Sequence, residues 1–372
     1  MSIQQTNQHH PFYLKLAMVL FSILAIGYLS ILGKEILSPL LFGLLFALLL
    51  LPLARYFEIK FNLHRNAASG IAVLIMLAAL TGLGFLISTQ ISRLSQNLPL
   101  LQEQIMTSLH NFQQWISDTF QINIEKQMDY VNSATTKLER ATPNVIGATV
   151  VSLSSVLFFL VFVVLDTFFI LIYRRRLLIF LVGVFREEDS QIVYDIVRTV
   201  QFIIRKYLVG LLLEMTTVAI VCSSAFLIIG IKYAILLGLI TALFNIVPYI
   251  GIFTALALNI IITFATTAVA TKVILVIITV VAMHLVDSNI LLPLIVGSKV
   301  RINAFITLLG IVVGEMLWGI SGMFLSIPVI AIAKIIFERI ESLQTWGLLL
   351  GEEKIVNTTR NLDLKTTEDK AP

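Results

Sequence analysis

The feature that most constrains this chain is a repeated one: apolar stretches about as long as a bilayer is thick, joined by short polar links. Leu14–Leu32, Ala67–Ser88 and Val150–Tyr173 are such runs, with almost no charge inside them. At 1.5 Å per residue, about twenty residues cross the roughly 30 Å hydrocarbon layer as a helix. A helix satisfies its own backbone hydrogen bonds, which lipid cannot do for it. Composition agrees. Of 372 residues 58% are hydrophobic and 13% charged, with a mean hydropathy of +0.95, against about a quarter charged in a soluble domain. So little polar surface cannot cover a water-soluble globule. The fold class is all-α, a polytopic helical membrane protein with about eight transmembrane helices, an extracytoplasmic amphipathic helical insert and a cytoplasmic amphipathic helix.

In chain order, residues 1–88 form an N-terminal three-span group, with spans at about 14–32, 36–57 and 67–88. The first run lacks a compact basic start and a small-residue cleavage site, so it reads as a retained span. Residues 89–148 turn polar and mixed in charge. Ile91, Leu94, Leu98, Leu101, Ile105, Phe112 and Trp115 follow helical spacing there, and Pro99 argues against one straight helix. Residues 149–206 hold span four, to Tyr173, then Arg174–Arg176 and an amphipathic stripe of Ile192, Ile196, Val200, Ile203 and Tyr207, expected at the membrane surface. Residues 207–340 hold span five (208–229), a broken span six from Tyr233, span seven (273–295) and span eight (304–327). Residues 341–372 form a tail.

With eight spans, 18 of the 26 Lys and Arg residues fall on one side and 8 on the other. Because cytoplasmic loops carry the excess, both termini and Arg174–Arg176 are expected in the cytoplasm. In this count Lys272 falls on the cytoplasmic side.

Several chemistries are excluded or disfavoured. No GxxxxGK[ST] is present, so no ATP is hydrolysed by that route. HExxH is also missing, and Gly319-Ile320-Ser321-Gly322 has no later histidine to serve as base for a serine nucleophile. No basic face on a soluble fold points to nucleic acid. Cys222 is the only cysteine and reads as a small packing residue. No catalytic residue, metal site or cofactor is expected.

The informative residues are polar groups set into the apolar runs. A charged side chain at the centre of a bilayer costs roughly 2.5–3.5 kcal/mol on insertion scales, so those that persist face protein or water. Asp287 and Asn289 admit two readings, a hydrogen-bonded pair that fixes helix contacts or the lining of a solute or ion path. In the second, Asp287 takes up and releases a proton or binds a cation. His284 lies three residues earlier on the same helix face, placed to share that proton or to fill an interface. Glu214 enters span five, and Glu315, in GEMLWG, lies near the middle of span eight as a gating or coupling candidate. In NIVPYIG, Asn245 is a polar ligand candidate, and Pro248 and Gly251 mark a helix break. Whether 252–264 continues span six as a kink or forms a re-entrant segment stays open. Pro293 and Gly297 are further hinge candidates, and Gly314, Gly319 and Gly322 suit close helix contact.

YAILLGLITALFNIVPYIG (233–251), NILLPLIVGSKV (289–300) and LLGIVVGEMLWGISGMFLSIPVIAI (308–332) together resemble the autoinducer-2 exporter (AI-2E) family of bacterial permeases. The matching residues are Gly210, Gly238, Asn245, Pro248, Gly251, Pro293, Gly297, Gly314, Gly319, Gly322 and Pro328. The chain departs from the pattern at Asn303-Ala304 and at Glu315. The resemblance implies a multi-pass inner-membrane permease and a homo-oligomer. The implied cargo is a small solute such as autoinducer-2, or sodium or lithium exchanged for protons. The alternative is an oligomeric channel or scaffold in which the intramembrane polar residues only hold helices together.

Overall fold

The computed structural model describes residues 12–96, 124–248, 250–267, 269–291 and 302–351, with 124–153 as backbone alone. Within them the chain is built of helices: α1 Phe12–Leu32, α2 Lys34–Lys60, α3 Arg65–Gln96, α4 Ile124–Gly183, α5 Ser190–Ile229, α6 Ala234–Phe244, α7 Ile250–Thr267, α8 Ala270–Val286, α9 Ala304–Trp318, α10 Ile320–Arg339 and α11 Gln344–Leu350. Seven helical segments are long and apolar enough to cross a membrane, and three shorter apolar helices accompany them. The central part of the insert, together with Pro293 and Gly297, lies outside the described residues. The flanking spans run on into the insert: α3 continues to Gln96, and α4 is one helix of 60 residues.

Helix α2 is the hub. One face meets α3 and α4 through Ala47, Leu50, Ala54, Ala72, Val73, Met76 and Leu171. Another meets α5 and α10 through Leu45, Leu48, Ile204, Tyr207, Leu325 and Ala331. A third cluster, Val218, Cys222, Phe226, Leu237, Val276 and Val280, joins α5, α6 and α8. The outward faces are apolar: Phe21, Phe85, Phe158 and Phe253 are among many exposed large side chains. A shell of this kind suits lipid as its solvent.

Three expectations need correction. The surface amphipathic helix and span five are one continuous 40-residue helix, α5. Of its stripe Tyr207 is buried, Ile196, Val200 and Ile203 are half-buried and Ile192 stays exposed, while the neighbouring Val193 and Ile204 are buried.

Span six is neither a single span nor a kinked one. Helix α6 has 11 residues, about 16 Å and too short to cross alone. The chain turns at 245–248 and comes back as α7. Asn259 Nδ2 donates to Thr241 Oγ1 at 2.8 Å, which two segments of a straight or merely kinked helix, eighteen residues apart, cannot do. The 252–264 segment is therefore the returning arm of a helical hairpin. Lys272 Nζ reaches the Gly230 carbonyl at 2.8 Å, so both arms open on one rim, and Lys272 stands on the opposite side from the one expected.

Span eight is also a hairpin. It reverses at Gly319, whose φ of +64° and ψ of −140° lie near a region that only glycine adopts without strain. The arms close until Gly314 and Gly322 meet backbone to backbone; a Cβ on Gly322 would stand 3.2 Å from Gly314 Cα and closer still to its carbonyl. Residues 302–303 pair with Leu350 and Gly351, and Arg339 pairs with Asp195 at the start of α5. This hairpin thus opens on the rim at the N-terminal end of α5. The first opens at its C-terminal end, so the two enter the bundle from opposite faces. The two reversals cancel in parity, and the C-terminal helices stay on the side of Arg174–Arg176.

Candidate functional site

Three elements count the same depth from the Gly230 rim. Gly230 ends α5 in the left-handed conformation, with Ile231 N–H bonded back to the Phe226 carbonyl. Glu214 is sixteen residues before it on α5, and Asn245 is fifteen after it at the tip of the α6–α7 hairpin. Asp287 is fifteen residues beyond Lys272 on α8. Antiparallel helices rising 1.5 Å per residue therefore bring all three to one level, about 23 Å from that rim.

They meet there. Asn245 Nδ2 donates to Glu214 Oε1 at 2.8 Å and to Asp287 Oδ2 at 3.0 Å. One amide nitrogen spends both protons on two carboxyl groups, so those oxygens lie no farther apart than the two distances laid end to end. Glu214 is 3% exposed and Asp287 5%. Each has a second oxygen, Glu214 Oε2 and Asp287 Oδ1, buried without a partner among the described residues. Buried polar atoms are normally satisfied, so two acceptors left over at one place suit a proton or a small cation. Two ionised carboxyls about 5 Å apart repel by about 3 kcal/mol at an effective dielectric near 20. A positive charge between them removes that cost.

Local structure supports this placement. The hairpin turn closes its own backbone: Ile246 N–H bonds to Leu243 O, Val247 N–H to Phe244 O and Gly251 N–H to Val247 O. The Leu243, Phe244 and Val247 carbonyls are thus used within the turn, and the Asn245 side chain is left to face α5 and α8. A Cβ on Gly251 would run into the Phe244 carbonyl, so the tight return needs glycine. Asp287 opens a π-helical turn, Asp287–Leu291, a distortion that often accompanies functional positions.

The other candidates lie elsewhere. Asn289 is exposed and bonds the Leu285 carbonyl at 2.8 Å; it forms no pair with Asp287. His284 Nε2 faces Ser288 Oγ at 3.5 Å, and its Nδ1 is buried without a partner among the described residues. Glu315 lies in the last turn of α9, near the tip of the second hairpin, exposed beside Met316. Gly314, Gly319 and Gly322 form the second hairpin and take no part in the carboxylate cluster. Asn259 was missed, although an amide inside ALALNIII is a visible signal; it is fully buried and ties the hairpin arms together.

Known proteins share this chain's pattern over most of its length. The model of the AI-2E family transporter matches residues 16–342. YueF of Bacillus subtilis (strain 168) is 29% identical over 272 residues, covering 69% of this chain and 70% of its own. YhhT of Escherichia coli (strain K12) is 25% identical over 323 residues, 86% of this chain and 89% of its own. Both names assign their proteins to transport provisionally. The AI-2 transport protein TqsA of Escherichia coli (strain K12) is 24% identical over 325 residues, 86% of this chain and 90% of its own. A multi-pass helical membrane protein matched over this length belongs to the AI-2E family of transporters.

Proposed function

We propose that this chain is a secondary transporter of the bacterial inner membrane, with both termini cytoplasmic, whose coupling site is the Glu214–Asn245–Asp287 cluster. The observation that carries the reading is one amide holding two buried carboxyl groups, each with an unpartnered oxygen. A proton or a monovalent cation occupies the cluster in one state and leaves it in the other. Asn245 rides on a hairpin tip, so movement of that tip changes the distance between donor and carboxyls. The ion then has different affinities in the two states, which is the condition for driving alternating access. Two hairpins entering from opposite faces supply the broken helices on which such sites are built. The transported species is sodium or lithium exchanged for protons, or a small solute such as autoinducer-2, the cargo that the name of TqsA states.

Everted vesicles carrying an imposed proton gradient test this. Sodium, lithium or autoinducer-2 is added to vesicles with wild type or with Asp287→Asn. Saturable collapse of the gradient by sodium or lithium in wild type alone supports cation exchange. Gradient-dependent autoinducer-2 movement in wild type alone supports solute export. Equal fluxes in wild type and variant return the cluster to a structural role.

A further inference from the structure

A second polar feature lies at the opposite rim, away from the carboxylate cluster. The C-terminal end of α2, the start of α3, the end of α4 and the start of α5 enclose a cavity of about 850 Å³. Five arginines line it, Arg55, Arg65, Arg174, Arg175 and Arg198, against a single carboxylate, Glu58. Glu58 is already committed: both its oxygens accept from Arg174 Nη2, at 2.8 and 2.6 Å. Arg174 Nη1 and Arg65 Nε are buried without a partner among the described residues. Arg55, Arg65, Arg175 and Arg198 form no ion pair with any described residue. Below the guanidinium groups the wall is apolar, with Leu44, Leu48 and Leu171.

So many like charges around one open-mouthed cleft repel unless an anion joins them, and the guanidinium fork matches a phosphate bidentately. We propose that this cavity is a binding site for a phosphate-ester anion, held by Arg65, Arg174 and Arg198. The apolar floor favours an ester attached to acyl chains, which makes the head group of an anionic phospholipid the leading source and a soluble phosphate ester the other. A basic pocket between spans on the positively charged side is suitably placed for such a head group.

Native mass spectrometry of the full chain tests it, with phosphatidylglycerol, phosphatidylethanolamine or glycerol 3-phosphate added. The proteins compared are wild type, the double variant Arg65→Gln/Arg198→Gln, and Arg176→Gln, whose guanidinium lies over the Tyr173 ring and does not line the cavity. Phosphatidylglycerol retention at least tenfold above phosphatidylethanolamine, reduced at least fivefold in the double variant and unchanged in Arg176→Gln, identifies a lipid site. The same arginine dependence for glycerol 3-phosphate alone identifies a soluble ester and leaves the phosphate-ester assignment standing. Adducts equal in wild type and double variant, or lost as much in Arg176→Gln, overturn it. Should the double variant fail to elute as folded protein, Arg198→Gln alone is read by the same criteria.

Discussion

Replacing Asn245 by alanine isolates the contact on which the functional reading rests. The substitution removes two hydrogen bonds, to Glu214 Oε1 and to Asp287 Oδ2. Hydrogen bonds to charged groups contribute about 1.5–3 kcal/mol each in water-soluble proteins. Within bilayers the measured contributions average about 0.6 and reach about 1.7 kcal/mol, because the unfolded chain also finds partners in the membrane. Two bonds at the upper end of the bilayer range, with some of the carboxyl–carboxyl repulsion no longer offset by the amide dipole, give a loss of about 2–4 kcal/mol. In an Asp287→Asn background the repulsion is absent and one bond is already neutral, so the same change costs about 1 kcal/mol. A double-mutant cycle on Asn245→Ala and Asp287→Asn, read by SDS unfolding of the purified protein, should show a coupling of about 1–3 kcal/mol. Independent sites add to within about 0.5 kcal/mol. Additive losses would mean that Asn245 does not bridge the carboxyl groups, and the reasoning fails.

Further outcomes follow from the hairpins. Gly322→Ala drives a Cβ into the Gly314 backbone, which cannot give way as a side chain would. It should lower stability by about 1–3 kcal/mol in the same assay despite alanine's better helix propensity. Gly319→Ala meets no neighbour within 4 Å but must hold φ near +64°, and should cost about 1–3 kcal/mol through backbone strain alone. Asn259→Leu removes the bond to Thr241 and should lower stability by about 1 kcal/mol in the same assay; no loss would mean that the bond does not hold the hairpin arms together. Arg339→Ala breaks an exposed pair with Asp195 and should change stability by less than about 1 kcal/mol. A larger loss would show that this contact anchors α10.

The sequence made the spans legible because span length is a property of apolar runs alone. It left chain direction illegible, since hydropathy reads the same whether a helix continues or doubles back. NIVPYIG announced a break, and the Asn259–Thr241 and Lys272–Gly230 bonds reveal that the chain reverses there. Gly319 looked like any small residue favouring close contact, and its role depends on a φ that no composition encodes. Glu214, Asn245 and Asp287 were each recognisable as polar groups in apolar surroundings. Their convergence was not, because it depends on α5 and on the two segments antiparallel to it, all measured from one rim. Pairing Asp287 with Asn289 ignored helical geometry: residues two apart point about 200° away from each other. The five cavity arginines were counted as charge on one side, but residues from 55 to 198 in sequence gave no hint that they share a space.

The central claim is that the Glu214–Asn245–Asp287 cluster binds a proton that the transported species displaces. Proton release by the purified protein in weak buffer measures this directly, with sodium, lithium or autoinducer-2 added in turn. Wild type should release protons saturably with at least one of the three, and Glu214→Gln and Asp287→Asn should both release far fewer. Silence of wild type toward all three, or equal release from the folded variants, would contradict the account.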